Sequence, residues 1–240
     1  MTRRIRYEVV CDTGRVRANN EDMAYAAGRF IRDGIIEGET ETECTAFAVA
    51  DGMGGHEGGG IASEIVCRSF ASFIKTINLR DEASVIQEIK TWAKDANRLV
   101  TSTATLRSGI SEMGTTFISL IFTCGKAFLL NVGDSRCYRL RSGILKRLST
   151  DHSERARTGN PELPSNLIYN FMGKRPDEFF SDLSVLTPLP GDRYILCSDG
   201  LTDMLSDEEI EVSGGDVKLL LDKAMRAGGQ DNITVIAIDV

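Results

Sequence analysis

Two aspartates that follow apolar runs are the residues of this sequence best placed to do chemistry. Asp51-Gly52 ends the run 46–50 and enters a glycine-rich stretch, and Asp199-Gly200 ends the run 194–198. Each aspartate is therefore predicted at the end of a buried strand, beside a glycine that lets the backbone approach a ligand closely. A third pair, Asp33-Gly34, lies between two short apolar runs and predicts only a tight turn between strands.

Other acidic residues occupy similar positions: Glu21-Asp22 after the first predicted strand, Asp134 after a later one, and Asp231 just before the last. If these strand ends converge, the carboxylates repel one another, so that their pKa values rise or folding depends on cations. Oxygen ligands in a chain with only two histidines favour Mg²⁺ or Mn²⁺ over zinc. The sequence predicts a divalent metal centre, with a purely structural metal and solvated loop acids as alternatives.

The elements that must position these residues are short strands and paired helices. Apolar and alternating runs predict strands at 5–11, 45–50, 115–123, 127–132, 137–140, 193–198 and 233–239. Helical spacing predicts long helices over 62–77 and 85–100, a turn at 78–81, and shorter helices over 207–212 and 216–227. Because strands follow strands and helices come in pairs, we predict an α+β layered domain with antiparallel sheets.

Composition narrows the class of protein. The chain has 240 residues and a formal net charge of −7, which argues against nucleic-acid binding, and its apolar runs are too short to cross a membrane. The six cysteines form no C-x-x-C pair. We expect a monomeric, cytoplasmic protein with a single domain over 1–240, interrupted by an irregular, flap-like excursion at 153–182.

A set of short motifs, taken in chain order, identifies a family. The motifs are Arg17-x-x-Asn20-Glu21-Asp22, Asp51-Gly52-Met53-Gly54-Gly55, Gly114-Thr115-Thr116, Gly133-Asp134-Ser135-Arg136, Asp151-His152-Ser153, Ser198-Asp199-Gly200-Leu201 and Gly228-Gly229-Gln230-Asp231-Asn232. Together they resemble the bacterial form of the metal-dependent serine/threonine protein phosphatases of type 2C. The resemblance runs along essentially the whole chain. It implies a four-layer sandwich of two antiparallel β-sheets flanked by helix pairs, with a two-metal centre at one end.

The same resemblance implies ligands for two Mn²⁺ or Mg²⁺ ions. Asp51 would bridge both ions, and the Gly52 carbonyl would bind one of them. Asp199 and Asp231 would hold the other ion. Asp134 matches the family residue associated with a third, weaker metal.

The implied reaction is hydrolysis of phosphoserine and phosphothreonine in proteins. A hydroxide bridging the two ions would attack phosphorus in line, without a phospho-enzyme. Arg17 would grip the phosphate, and Glu21 and Asp22 would act mainly through metal-bound waters, with Asp22 counted among the catalytic residues. Phosphorylated proteins and a cognate serine/threonine kinase are the partners that the resemblance implies.

Two features depart from the family pattern. Met53 stands where eukaryotic relatives carry a histidine offered as a general acid, and His56, in a glycine-rich loop, is interpreted as structural. Protonation of the leaving oxygen is then expected from water or another group. The excursion after Asp151-His152-Ser153 is shorter than the bacterial flap, and that tripeptide is interpreted as a structural turn rather than a Ser-His-Asp catalytic trio.

Two other functions stay open. Residues 11–17 satisfy C-x-x-G-x-x-R, the phosphate loop of cysteine-dependent phosphatases. Asp12 would add negative charge to that loop and 18–20 opens a helix poorly, which favours Cys11 as a buried strand residue. A pseudophosphatase that only binds a partner is the second alternative, and it is disfavoured because Asp51, Asp199 and Asp231 are all present.

Overall fold

The computed structural model describes residues 3–54, 58–106 and 113–240. Its strands are β1 (Arg3–Asp12), β2 (Met23–Ala26), β3 (Arg29–Ile31), β4 (Gly34–Thr42), β5 (Cys44–Ala50), β6 (Gly52–Met53), β7 (Gly114–Thr115), β8 (Phe117–Thr123), β9 (Lys126–Val132), β10 (Arg136–Arg141), β11 (Ile144–Arg147), β12 (Asp182–Leu186), β13 (Arg193–Cys197) and β14 (Ile233–Asp239). Its helices are α1 (Gly58–Thr76), α2 (Glu82–Leu106), α3 (Glu154–Thr158), α4 (Asp199–Thr202), α5 (Asp207–Val212) and α6 (Val217–Arg226). None of these helices has the length and apolar character to cross a membrane.

The strands form two six-stranded sheets. The first has the order β11-β10-β13-β14-β1-β4 and the second β12-β9-β8-β5-β2-β3, while β6 and β7 make a small separate ladder. Every strand pair is antiparallel. The predicted α+β fold with two antiparallel sheets and paired helices is confirmed.

Strand β5 shows how the sequence builds the layers. It is buried on both faces, and alternate side chains point in opposite directions. Phe47 and Val49 enter the core between the two sheets, whereas Ala46, Ala48 and Ala50 face the α1–α2 layer. The small alanine side chains leave room for these helices to pack closely on the second sheet.

Apolar stripes on the helices close the outer layers. Phe70 of α1, Trp92 of α2 and Phe117 of β8 meet with ring centroids 5.1 Å apart. Such aromatic groups contribute through both apolar burial and ring geometry. Helices α4 and α6 pack on the first sheet through Leu201 and Leu220, which belong to a separate core cluster.

The helix predictions match the structure closely. The turn between α1 and α2 lies where 78–81 was predicted, and the Ser84 amide donates to Asp81 Oδ1 at 2.8 Å at the start of α2. Helix α5 begins with the predicted capping box, in which the Ser206 and Glu209 side chains each accept from the other residue's backbone amide. Helix α2 extends to Leu106, beyond the predicted end.

The Asp33-Gly34 turn joins the two sheets instead of two paired strands. Strand β3 before it pairs with β2, whereas β4 after it pairs with β1. The tight turn was predicted correctly, with Gly34 at a φ of +96°, but the flanking strands are not partners. Strands β2 and β12 were also missed: β2 has only four residues and no alternation, and β12, although Asp182–Val185 alternates polar and apolar residues, has only five.

The excursion after β11 is tied firmly to the sandwich. Its only helix among the described residues is the five-residue α3, which Ser153 caps through the Ala156 amide. Asn97 of α2 accepts from the Gly173 amide at 2.8 Å and donates to the Lys174 carbonyl at 2.9 Å. These bonds anchor the excursion to the α1–α2 layer.

Candidate metal centre

Strand ends from both sheets meet at one edge of the sandwich. In an antiparallel pair, the end of one strand lies beside the start of its neighbour. The loop that follows the first strand and the loop that precedes the second therefore lie together. The residue pairs nearest this edge are Asp12 with Ile233, Arg136 with Cys197, Met23 with Ala50, and Phe117 with Val132. The acidic residues singled out in the sequence lie immediately beyond these pairs.

The backbone of Asp51 is fixed by the Thr115-Thr116 segment. The Thr116 amide and the Thr115 hydroxyl donate to the Asp51 carbonyl at 2.9 and 2.8 Å, and the Asp51 amide donates to Thr116 Oγ1 at 3.1 Å. Thr116 Oγ1 also lies 2.7 Å from Ser135 Oγ. The threonine motif therefore holds the end of β5 and links it to the loop that carries Asp134.

Gly52 allows two backbones to approach the site. A Cβ atom at this position would lie 2.3 Å from the Gly59 carbonyl oxygen and 2.6 Å from the Glu21 carbonyl oxygen. No side chain fits at such distances. The glycine after Asp51 is therefore required by the close packing of the start of α1 and of the Glu21 loop.

The Glu21-Asp22 loop is bound to the ends of the first sheet. Asn232 Oδ1 accepts from the Glu21 amide at 2.9 Å, and the Ser198 hydroxyl donates to Asp22 Oδ2 at 2.8 Å. The Ser63 hydroxyl of α1 donates to the Glu21 carbonyl at 2.6 Å. Residues flanking Asp199 and Asp231 thus set the position of the Glu21 loop.

Arg32 is a positioning residue that sequence reasoning missed. Its guanidinium donates to the Asn20 carbonyl at 2.9 Å and to the Gly60 carbonyl at 2.8 Å, and Asn20 Nδ2 donates back to the Arg32 carbonyl at 2.6 Å. The arginine therefore joins the loop before Glu21 to the first turn of α1. Its local sequence shows only an arginine before a tight turn, which gives no signal of this role.

Arg17 and Asp231 form an ion pair at the rim of the site. Arg17 Nη2 donates to Asp231 Oδ2 at 2.6 Å, while Asp231 Oδ1 accepts from the Asn232 amide at 2.8 Å. The Arg17 side chain is 53% exposed. The one guanidinium predicted to bind phosphate thus lies against the carboxylate cluster and faces solvent.

The carboxylates of the cluster interact strongly. Burial, with repulsion from the other carboxylates, raises the pKa of Asp22 to about 7 and that of Asp199 to about 6. Burial and repulsion from Asp199 also raise the pKa values of Asp51 and Asp134 well above the usual range. Asp51 lies close enough to Asp199, Asp22 and Asp134 for their charges to raise its pKa. The structure therefore brings carboxylates from four separate loops into one cluster of interacting charges.

The donor atoms of this cluster fit a hard divalent cation. Glu21 Oε1, Asp22 Oδ1 and Asp134 Oδ1 are buried and have no hydrogen-bond partner within the described part of the chain. A buried carboxylate oxygen without a partner is costly unless a cation or another donor reaches it. No group of three His, Cys, Asp or Glu side chains in 3–54, 58–106 and 113–240 forms a ready-made cation site. The ligands are thus gathered, and their side chains must turn to converge on an ion.

Asp134 lies beside a small cleft at the edge of the cluster. Its side chain is buried, and the cleft of about 50 Å³ is also lined by Asp199 and Asp203. Arg136 and Arg155 face the same cleft. Arg136 in turn donates to Asp151 at 2.9 Å. The cleft beside Asp134, the residue predicted to hold a third metal, is therefore lined by Asp199 but not by Asp231.

The structure argues against a cysteine nucleophile. Cys11 lies within β1 and is fully buried, and its Sγ is 2.9 Å from Thr234 Oγ1. Burial raises the pKa of the Cys11 thiol to about 12. A catalytic cysteine needs an accessible thiolate, so the Cys11 alternative is wrong and the buried-strand interpretation is confirmed.

The Asp151-His152-Ser153 segment has a structural role. Asp151 pairs with Arg136 and Arg147. His152 Nδ1 accepts from Asn170 Nδ2 at 2.8 Å, and Ser153 caps α3. The three side chains do not bond to one another, as the turn interpretation predicted. His56 lies outside the described residues.

Comparison with known proteins agrees with this arrangement. The chain matches the family described as Protein phosphatase 2C over residues 23–234. The serine/threonine protein phosphatase PstP of Mycobacterium tuberculosis is 31% identical over 254 aligned residues, which cover 98% of this chain and 45% of PstP. The serine/threonine phosphatase stp of Listeria monocytogenes is 30% identical, with 95% of this chain and 93% of stp covered. The chain thus spans about half the length of PstP and nearly all of stp.

Solved structures show the same fold. The crystal structure of the catalytic domain of PstP in complex with two manganese ions superposes with a TM-score of 0.81 at 30% identity, and the match covers 99% of each chain. Because the family match spans most of the sequence and two relatives are at least 30% identical over nearly all of it, this chain belongs to the protein phosphatase 2C family.

Proposed function

We propose that this chain hydrolyses phosphoserine and phosphothreonine in proteins with the help of two divalent cations. The observation that carries the proposal is the convergence of strand ends from the two sheets, which places Asp51 near Asp199 and sets Arg17 against Asp231. Two relatives that cover nearly all of this chain are named serine/threonine phosphatases. The PstP catalytic domain binds two manganese ions, which supports a two-metal site here.

The ligand roles are those that the family resemblance implies. Asp51, which lies near Asp22, Asp134 and Asp199, would help to hold both ions. The carbonyl of Gly52 would bind one ion, and Asp199 with Asp231 would hold the other. Mn²⁺ and Mg²⁺ both suit this all-oxygen donor set.

When bound, two divalent cations lower the pKa of water to make a nucleophile and neutralise charge on the phosphoryl oxygens. The guanidinium of Arg17 can bind two phosphoryl oxygens at once, and its exposed position at the rim lets it meet a phosphate that enters from solvent. Glu21 and Asp22 would orient water, since each has a buried carboxylate oxygen free of partners within the described ranges. Cys11 is sealed in the core, so no covalent intermediate on it is expected.

Several finer features belong to the same proposal. Asp134 would hold a third, weaker cation in the cleft that it shares with Asp199. The substrates would be phosphorylated proteins, with a serine/threonine kinase as the opposing enzyme. We also propose that 1–240 acts as a single catalytic domain, monomeric and cytoplasmic.

Release of phosphate from a phosphothreonine peptide with added Mn²⁺ tests the proposal. Turnover should need Mn²⁺ or Mg²⁺, stop on chelation, and fall at least about 10³-fold in Asp51→Asn, because a lost bridging ligand removes the metal pair. Cys11→Ser should keep the turnover of the unsubstituted protein. A folded sample that binds two Mn²⁺ ions but releases no phosphate would instead identify a binding module.

A further inference from the structure

Two cysteines lie at the end of the second sheet opposite to the carboxylate cluster. Cys44 begins β5, which ends beside Asp51, and Cys124 is the first residue of the two-residue turn between β8 and β9. All six cysteines lie within the described ranges and are free thiols. Cys124 is exposed and Cys44 is half-buried, whereas the other four are buried. These two thiols are thus the ones that a reagent in solvent can reach.

Strand pairing brings the two cysteines together. Cys44 lies directly opposite Thr123 in the β5–β8 ladder, and Cys124 follows Thr123 in the chain. Directly opposite residues of an antiparallel pair share one face of the sheet, with their Cβ atoms about 5 Å apart. Thr123 Oγ1 also lies 3.7 Å from Cys124 Sγ. The Thr123 side chain is therefore a close neighbour of both cysteines.

Both thiols lie on the face of the sheet that α1 and α2 cover. Cys44 points in the same direction from β5 as Ala46 and packs against the same core cluster. Cys124 Sγ lies 3.6 Å from the carbonyl oxygen of Leu79, in the turn between α1 and α2, and Leu79 packs against that cluster as well. The Cys124 side chain therefore points toward the layer in which Cys44 lies.

The spacing of the pair suits a disulfide. Paired strands are about 4.8 Å apart and successive Cα atoms about 3.8 Å, so the Cα atoms of Cys44 and Cys124, one position out of register, are about 6–7 Å apart. Disulfides join Cα atoms about 4.4–6.8 Å apart. Burial, with the charge of the neighbouring Cys124, raises the pKa of the Cys44 thiol to about 11. This effect of one thiol on the other agrees with a short separation.

We propose that Cys44 and Cys124 are a reversible oxidation site, at which a low-molecular-weight disulfide converts the two thiols into one disulfide bond. The exposed Cys124 reacts first: its thiolate attacks one sulfur of the reagent, a mixed disulfide forms and one thiolate leaves. The Cys44 thiolate then attacks the Cys124 sulfur, and the second thiolate leaves. The protein loses two electrons and two protons, and the reagent becomes two thiols.

The disulfide has two effects on the fold. It ties the start of β5 to the β8–β9 turn and closes a long loop in the unfolded chain, which should raise Tm by about 5 °C or more. It also removes the thiol proton that Cys124 donates to the Leu79 carbonyl. None of these residues belongs to the carboxylate cluster, so the proposal does not depend on the phosphatase activity.

Equilibration of the full chain with mixtures of reduced and oxidised glutathione tests the proposal. After alkylation in denaturant, the oxidised protein should carry two alkyl groups fewer than the reduced protein, and a digest should contain a cross-linked peptide pair that joins Cys44 to Cys124. Dithiothreitol should reverse both changes. A persistent glutathione adduct on Cys124 beside a free Cys44, or a disulfide between two chains through Cys124, would overturn the proposal. So would a lower Tm of the oxidised protein, since the bond would then distort the native fold.

Single variants separate the two steps. Cys44→Ser should stop at the mixed disulfide and keep glutathione on Cys124. Cys124→Ser should leave Cys44 unmodified, because a half-buried thiol with a raised pKa is a poor nucleophile toward a reagent in solvent. An unmodified Cys124 in folded Cys44→Ser protein would show that Cys124 is not the attacking thiol.

Ser142 offers a matched control position. It is exposed in the turn between β10 and β11, and its φ of +52° equals that of Cys124. In the Cys124→Ser background, an added Ser142→Cys substitution should take up glutathione but form no internal disulfide. An internal disulfide in this double variant would overturn the proposal, because oxidation would then not depend on the contact between Cys44 and Cys124.

Discussion

Arg17 Nη2 lies 2.6 Å from Asp231 Oδ2, although the two residues are 214 positions apart in the chain. Their side chains are 53% and 36% exposed, so the pair contributes little to folding stability. Its effect lies in the site. In the proposed function the Asp231 carboxylate binds a cation and the Arg17 guanidinium binds phosphate. The ion pair between them therefore competes with both ligands. Cation binding and phosphate binding are therefore coupled through this one contact.

Replacing Arg17 with Ala should raise the affinity for Mn²⁺ and lower the turnover of substrate. Asp231 loses a competitor and the site loses a positive charge, so we expect Mn²⁺ to bind about 2- to 5-fold more tightly by calorimetry, in line with the free energy of an exposed ion pair. Turnover of a phosphothreonine peptide should fall about 100-fold or more in kcat/KM, because a donor to the phosphoryl oxygens is lost.

Arg15→Ala is the matched control. Arg15 is also exposed in the same loop, and its backbone amide donates to the Gly229 carbonyl, a contact that the substitution keeps. Mn²⁺ affinity and kcat/KM should stay near those of the unsubstituted protein. Weaker Mn²⁺ binding in Arg17→Ala would show that the ion pair helps to build the metal site.

Asp199→Asn should stabilise the metal-free fold while it abolishes activity. Burial, with repulsion from neighbouring carboxylates, raises the pKa of Asp199 to about 6, so the charged form is unfavourable in the folded state at pH 7.5. A neutral isostere should raise the free energy of unfolding without metal by about 1–3 kcal/mol, since each pKa unit corresponds to about 1.4 kcal/mol. Urea unfolding in chelator measures this change. Asp177→Asn, at an exposed position, should leave it unchanged, and a less stable Asp199→Asn protein would contradict the electrostatic argument.

Gly52→Ala should disrupt both fold and activity. The added methyl group would lie 2.3 Å from the Gly59 carbonyl oxygen, so either the start of α1 or the Glu21 loop must move. We expect a loss of about 2–4 kcal/mol in the free energy of unfolding and loss of phosphate release. Gly143→Ala is the control, because Gly143 has a φ of +79° but open space around its Cβ position. It should cost only about 1 kcal/mol and preserve activity. Equal effects of the two substitutions would refute the steric explanation.

Much of the site was predictable because its signals are local. Asp51 and Asp199 each combine an apolar strand, a carboxylate and a glycine within a few residues. The antiparallel layering follows from strands that follow strands. The sequence also placed Thr115 and Thr116 within a motif, and the structure shows that they hold the Asp51 backbone.

Other features depend on contacts that no local pattern encodes. The strands on either side of Asp33-Gly34 lie in different sheets, since β3 pairs with β2 and β4 pairs with β1. This pairing depends on residues that are distant in the sequence and on packing in the shared core. Cys44 and Cys124 become neighbours only because β5 pairs with β8. Arg32 likewise gains its role only when Asn20 and Gly60 meet across the fold.

Arg32→Met tests the role of Arg32 as a positioning residue. Loss of its bonds to the Asn20 and Gly60 carbonyls should loosen the Glu21 loop, so we expect Mn²⁺ affinity to fall about 10-fold or more with a smaller loss in stability. Arg32→Lys should restore part of the affinity, because an ammonium can reach one carbonyl. Arg29→Met is the control, since Arg29 is exposed and its guanidinium bonds, among the residues described, only the Glu37 carbonyl at 3.3 Å. Unchanged Mn²⁺ affinity in Arg32→Met would show that the loop holds without it.

Asp192→Asn should remove stability that depends on pH. Burial opposes ionisation of Asp192, but hydrogen bonds from Arg141 and from the Leu189 amide outweigh it and hold the pKa of this carboxyl below its ordinary value. A depressed pKa stabilises the fold above the ordinary pKa of about 4 in the unfolded chain, and this stabilisation is lost as the pH falls through the folded value.

The unfolding free energies of the unsubstituted protein and Asp192→Asn should therefore differ by about 2–4 kcal/mol at pH 7, because one partner of a buried ion pair is lost. The difference should shrink steadily below about pH 4, which urea unfolding at several pH values measures. Asp239→Asn is the control, because Asp239 forms a similar two-bond pair with Arg193 but is 43% exposed. That substitution should cost less than about 1 kcal/mol. A constant difference for Asp192→Asn down to pH 2.5 would show that the loss comes from packing rather than from charge.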